Sequence, residues 1–110
     1  MTGIILIFHN RESQIDKNEF AQFLKKNKNA HLCLVNNGST DHTIEVLHQL
    51  EQLFPSNISI IDLKVKREND FALRNGFRFL MRNKNIDRVS FTPDINLKQS
   101  HDILNIAKNT

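Results

Sequence analysis

Tryptophan and tyrosine are absent from this sequence, and its eight phenylalanines fall mostly at positions patterned as core. A platform for single-stranded nucleic acid needs aromatic rings interleaved with basic residues, so composition argues against nucleic acid as a partner. Charge argues the same way: 15 Lys and Arg against 12 Asp and Glu leave +3, with the basic residues spread among acids rather than gathered in a block. Cysteine is nearly absent. Cys33 alone cannot close an internal disulfide, and its place inside the apolar run Leu32 to Val35 marks it as a small buried hydrophobe in a reducing compartment. Long apolar runs are lacking too. The opening run, Gly3 to Phe8, is far shorter than the roughly 20 residues that span a bilayer, and no basic leader or cleavage site accompanies it. The sequence thus predicts no transmembrane segment and no export, and a cytoplasmic location.

Several catalytic motifs are missing. There is no G-x-S-x-G elbow, Walker loop or G-x-G-x-x-G, which removes support for hydrolase, P-loop and dinucleotide readings. His9, His31, His42, His48 and His101 lack the paired spacing of a zinc site.

What the chain does have is an ordinary globular composition, 39% apolar and 25% charged over 110 residues, enough for one domain and too little for two. Residues 1–110 are therefore expected to form a single unit. Ile4 to Phe8 is a continuous β-branched run, the pattern of a strand buried on both faces. Asp16 and Glu19 form a capping box before Phe20, Phe23 and Leu24 at helical spacing. Leu32 to Val35 reads as a second strand that stops at the turn-forming residues Asn36, Asn37 and Gly38. Ser39 or Thr40 then caps a helix with the stripe Ile44, Leu47, Leu50 and Phe54, ended by Pro55. Ile58 to Leu63 is a third strand, and Phe71, Leu73, Phe77, Leu80 and Met81 form one helical face, with Arg74, Arg78 and Arg82 on another. Val89 to Phe91 is a short fourth strand, and Ser100 caps a last helix with the stripe Ile103, Leu104 and Ala107.

Strands alternating with helices predict an α/β fold, a mostly parallel sheet covered on both faces. Ligands gather at the carboxyl ends of such strands. That rule points to His9 to Glu12, Asn36 to Asp41, Lys64 to Asp70 and Thr92 to Asn96.

The segment Leu34-Val35-Asn36-Asn37-Gly38-Ser39-Thr40-Asp41-His42-Thr43 resembles the V-D-D-G-S-T-D-x-T signature of family 2 glycosyltransferases. Ile7-Phe8-His9-Asn10-Arg11-Glu12 is similar to that family's opening strand and "Y-N-E" turn, and Ala72-Leu73-Arg74-Asn75-Gly76-Phe77 to its "A-L-N-x-G" helix. The resemblance implies a truncated GT-A fold of the nucleotide-diphospho-sugar transferase type, a three-layer αβα sandwich. It implies a nucleoside diphosphate sugar as ligand, with a divalent metal bridging the phosphates. Asn36 and Asn37 stand where the family has an acidic pair that contacts the uracil or ribose, and an amide there keeps an acceptor while losing the charge. His9, Asn10 and Asp41 complete the expected nucleotide contacts, and Arg74, with Lys64, Lys66 and Arg67, supplies positive charge toward a diphosphate. Asp94 and Asn96 match the D-x-D position and are the expected ligands of Mg or Mn.

The half of a family enzyme that binds the acceptor and carries the catalytic base has no counterpart in 110 residues. Sugar transfer would then require an acceptor half or a partner, and the length leaves room for a homodimer or a partner chain. The alternative is a non-catalytic interaction or regulatory module on a degenerate glycosyltransferase scaffold. A receiver-like domain fits less well, because the first strand ends in His9 and Asn10 rather than in acids.

Overall fold

Strand β1 (Thr2–Phe8) is the centre of the molecule, and its unbroken apolar sequence follows from that position. In the computed structural model, which describes residues 1–82 and 85–92, β1 has a parallel neighbour on each side. The chain continues through a short 3-10 turn (Glu12–Gln14), helix α1 (Lys17–Lys26), strand β2 (Ala30–Asn37), helix α2 (Thr43–Leu53), strand β3 (Ile58–Leu63), helix α3 (Asn69–Met81) and strand β4 (Arg88–Thr92). The four strands lie in the order β3-β2-β1-β4, and every pairing is parallel.

Alternate residues of β1 serve opposite faces. Ile4, Leu6 and Phe8 meet Phe20, Phe23 and Leu24 of α1 and Leu47 and Leu50 of α2. Ile5 points the other way and joins Cys33, Val35, Ala72 and Leu80. Helices α1 and α2 thus cover one face and α3 the other, the expected three-layer αβα arrangement. Each fully buried Leu, Ile or Phe contributes about 1.5–3 kcal/mol, and Ile4, Ile5, Leu6 and Phe8 are all buried.

Local chemistry sets the helix ends. The Asp16 carboxylate accepts a bond from the backbone N–H of Asn18 at 2.9 Å, and Lys25 and Lys26 sit in the last turn of α1, where positive charge suits the helix dipole. Helix α2 starts at Thr43, later than a cap at Ser39 or Thr40 predicts, because those two hydroxyls are taken by other partners. Strand β2 also runs past the predicted stop: Asn36 and Asn37 pair in register with Asp62 and Leu63. After β2 the chain turns into the left-handed region at Gly38, at φ 64°.

Helix α3 departs from the predicted face. Its buried residues are Ala72, Gly76 and Leu80, while Phe77 and Met81 are about half exposed. Small side chains bring the helix axis close to β1, so that a Cβ added at Gly76 would sit 2.9 Å from Ile5 Cγ2. Ala72 and Gly76 face the sheet together with Leu80 of the predicted face, and Leu73 packs against the same cluster. The predicted last helix, Ser100 to Ala107, lies outside the described residues.

Candidate functional site

From β1 the chain steps to β2 and β3 on one side and then crosses to place β4 on the other side of β1. The crossing makes the carboxyl end of β1 a topological switch point, where loops diverge and leave a crevice. His9 and Asn10 leave β1 at that point. Asn10 adopts a left-handed conformation at φ 52°, which Asn tolerates better than most residues.

Loop β1–α1 and the turn after β2 are bound together. The Asn10 backbone N–H donates to Ser39 Oγ at 3.0 Å, and Asn10 Oδ1 accepts from the Thr40 backbone N–H at 2.8 Å and from its hydroxyl at 3.3 Å. Because a backbone N–H can only donate, those bonds fix which end of the Asn10 amide is oxygen. Nδ2 therefore faces His9 Nε2, 3.3 Å away, and donates to it. Nδ1 of His9 must then carry the proton, which it donates to the Asn37 carbonyl at 2.9 Å. A chain of assigned donors and acceptors thus holds the ring in one tautomer.

Acidic side chains nearby are occupied by the backbone. Asp41 accepts from the Thr43 N–H at 2.9 Å, from the Thr43 hydroxyl and from the Glu12 N–H at 3.3 Å. The Thr43 hydroxyl above all, with these N–H groups, holds the Asp41 carboxyl below its ordinary pKa. Glu12 in turn accepts from the His42 N–H at 3.2 Å, and the Arg11 N–H donates to Thr43 Oγ1 at 2.9 Å.

Asn36 and Asn37 end β2 and are 3% and 1% exposed, so neither side chain lies open at the crevice. Asn36 Nδ2 donates to Asp62 Oδ1 at 2.8 Å, and its Oδ1 accepts from the Ser39 hydroxyl. Burial alone would raise the Asp62 carboxyl, but the Lys64 ammonium and the Asn36 amide outweigh it and hold that carboxyl below its ordinary value. Asn37 bonds twice to one residue, Nδ2 donating to the Arg67 carbonyl and Oδ1 accepting from the Arg67 N–H, each at 2.8 Å. Between these amides and α3 the segment 64–67 is exposed, and an open depression of about 630 Å³ is lined by Lys66, Arg67, Glu68 and Asn69. The Arg67 guanidinium lies over the Phe71 ring, 4.2 Å from its centroid.

The expected residues His9, Asn10, Asn36, Asn37 and Asp41 are therefore brought together at the carboxyl ends of β1 and β2. Arg74 stands apart from them. Its Nε donates to the Asp70 carbonyl at 3.4 Å, and the residue borders an apolar groove of about 340 Å³ formed by Ile5, Leu73, Phe77, Val89 and Phe91. Asp94 and Asn96 lie outside the described residues, and no group of three or more His, Cys, Asp or Glu able to hold a metal occurs among the described residues. Asp62 and Thr43 are members of the network that pattern reading missed. The parallel register of Asn36 with Asp62 is the only signal for the first, and it is not readable without the fold.

A parallel 3-2-1-4 sheet, helices on both faces and a polar network at the switch point define a GT-A-like α/β protein. The sequence profile of Glycosyl transferase family 2 matches residues 3–81, and the chain belongs to that family. Among solved structures it is similar to S. aureus TarS 1-349, with 16% identity and a TM-score of 0.62, over 96% of this chain and 32% of that one. It is also similar to the mannosyltransferase PcManGT from Pyrobaculum calidifontis, solved in complex with GDP-Man and Mn2+, with 15% identity and a TM-score of 0.52, over 71% of this chain and 24% of that one. The chain thus spans a third or less of the length of these two proteins. A search of curated proteins found no match. Among the described residues no helix is long and apolar enough to cross a membrane.

Proposed function

We propose that this glycosyltransferase-like chain binds a nucleoside diphosphate sugar in the crevice outside the carboxyl ends of β1, β2 and β4. The observation that carries the reading is convergence: His9 and Asn10 from one loop and Asn37 to Asp41 from another are joined by bonds at a topological switch point. Support also comes from the family and from the GDP-Man complex of a structural neighbour.

A divalent metal fits the donor types available. Asp94 and Asn96 would offer hard oxygen ligands suited to Mg2+ or Mn2+, and the same neighbour carries Mn2+. When bound, such an ion neutralises charge on a leaving diphosphate. The chain's own contribution is to orient the nucleotide: His9 Nε2 and the side chain of Asn10 border the crevice, and Lys64, Lys66 and Arg67 offer positive charge beside it. Transfer of the sugar would rely on an acceptor half, a partner chain or a second copy, which would also bring the base that takes the acceptor's proton. A cytoplasmic site of action suits the single buried thiol.

The second reading, a non-catalytic interaction module, is favoured by the buried Asn36 and Asn37 standing where the family has acids. Titration with UDP, GDP and GDP-mannose, with and without Mn2+, separates the two. Metal-dependent shifts of the His9 and Asn10 amide resonances are expected. Absence of binding up to about 1 mM, near 4 kcal/mol of affinity, would refute nucleotide recognition and leave the module.

A further inference from the structure

Asn37 occupies a position from which a side chain would be expected to read a nucleotide base, yet its contacts face the other way. It is 1% exposed, and both ends of its amide are bonded to the backbone of Arg67. Its neighbour Asn36 is 3% exposed and is spent on Ser39 and Asp62, and Asp62 pairs with Lys64. Asn37 therefore connects the end of β2 to the segment Lys64–Arg67 directly, and Asn36 does so only through Asp62. Gly38 adds a third connection. Its N–H donates to the Leu63 carbonyl at 2.9 Å, and the backbone of Lys66 packs so closely that a Cβ on Gly38 would lie 2.1 Å from Lys66 N.

Resting on the nucleotide reading above, we infer that Asn37 is a positioning residue: its amide clamps the Arg67 backbone and so presents the basic segment Lys64–Arg67 to the ligand's diphosphate, and it does not read the base. The segment needs such a clamp. It has no regular secondary structure, its four side chains are exposed, and three of them are long cations whose ordering costs free energy on binding. Two backbone bonds fix the path of the chain before the ligand arrives, which leaves less to order afterwards. The first turn of α3 follows directly, and Asn69 at its start lines the same depression. Glu68 opposes an anion there, and the charge of Lys66 and Arg67 exceeds it. With Asn36 and Asn37 withdrawn from the crevice, discrimination between bases falls to the loops, and the diphosphate becomes the feature the site recognises most strongly.

The test is Asn37→Ala with two independent readouts. Amide hydrogen exchange at Arg67 is expected to rise about tenfold or more, since removing the Asn37 acceptor frees that N–H. Affinities for UDP and for inorganic pyrophosphate are expected to fall together by about five- to tenfold, while uridine binding is unchanged. Unchanged exchange at Arg67 would overturn the clamp. A loss of uridine affinity with pyrophosphate unaffected would make Asn37 a base reader and overturn the inference. Should the wild-type chain bind none of the three compounds, the nucleotide reading fails and the phosphate half of this inference with it, whereas exchange still decides the clamp. If the alanine variant does not fold, Asn37→Asp serves in its place. It keeps the acceptor for the Arg67 N–H but sets a carboxylate against the Arg67 carbonyl, so pyrophosphate affinity should fall with uridine binding unchanged, and a loss of uridine affinity with pyrophosphate unaffected would overturn the inference.

Discussion

Gly38→Ala is the most demanding test of how the two loops meet. At φ 64° an alanine pays the left-handed penalty of about 1–2 kcal/mol. Its Cβ would lie 2.1 Å from Lys66 N and 2.6 Å from both Lys66 Cα and Val65 C, all backbone atoms that cannot swing aside as a side chain would. Reaching ordinary contact near 3.4 Å requires the Lys66 backbone to retreat by more than 1 Å. That movement strains the Asn37–Arg67 pair and the Gly38 N–H bond to Leu63, each bond worth about 1 kcal/mol. Together these terms predict a loss of about 3–5 kcal/mol, a large share of the stability of about 5–15 kcal/mol usual for a domain. Thermal unfolding followed by circular dichroism should then fall by about 12 °C or more. Gly38→Asn separates the causes, because Asn accepts the left-handed region and yet carries a Cβ. It should recover only the conformational part and stay well below wild type. An asparagine variant as stable as the glycine parent would refute the close approach of Lys66.

Three further outcomes follow from the core and from the buried imidazole of His31. His31 is buried at the opposite end of the sheet, with Nε2 bonded to Ser59 Oγ at 2.7 Å, and burial pushes its pKa below 6.5 despite a backbone bond at Ser56. The unfolded chain therefore binds the proton more readily, so the His31 contribution is present above about pH 6.5 and is lost as pH falls below it. Urea titrations of wild type and His31→Asn between pH 7.5 and 5.5 should converge at the acid end, and parallel curves would contradict the shift. Burial raises the Cys33 thiol to about 12, so Ellman's reagent at pH 8 should leave it unmodified in the native state and react fully in urea. Leu47→Ala should cost about 2–5 kcal/mol by chemical denaturation, since Leu47 is completely buried in the α1–α2 face of the core.

The parts of this fold that could be read from sequence are those decided locally. The β1 run, the Asp16 cap of α1, the bounds of β3 and the alternation of strand and helix all depend on residues near one another in the chain. The errors arose where distant partners decide. Asn36 and Asn37 favour turns by themselves, yet parallel pairing with Asp62 and Leu63 keeps them in β2. Ser39 and Thr40 are good caps by type, but Asn10 and Asn36 engage their hydroxyls and the helix starts three residues later, at Thr43. On α3 Leu80 is buried as its pattern suggests, but Phe77 and Met81 are not, because close contact with Ile5 selected Ala72 and Gly76. The candidate site was legible as a set of segments. The assignment of each side chain to ligand or to scaffold was not, because it depends on bonds between segments 26 to 30 residues apart.

The same bonds explain how β2 can end in two amides where an acidic pair would otherwise stand. A carboxylate at position 36 would face Asp62 across the β2–β3 register, and like charges at that spacing repel. The amide instead donates to Asp62, and the single remaining charge pairs with Lys64 on the neighbouring strand's exit. Negative charge is thereby moved from the centre of the crevice to its β3 side, where a cation meets it. On the β1 side, Asp41 and Glu12 are satisfied by backbone N–H groups of the loops they hold together. Beside the start of α3, Lys66 and Arg67, the latter stacked on Phe71, outweigh the single charge of Glu68. An anionic ligand entering at the switch point would therefore be drawn toward β3 rather than toward the acids near β1. Raising the salt from 50 to 500 mM should weaken pyrophosphate binding far more than uridine binding, and equal sensitivity would contradict this placement of charge.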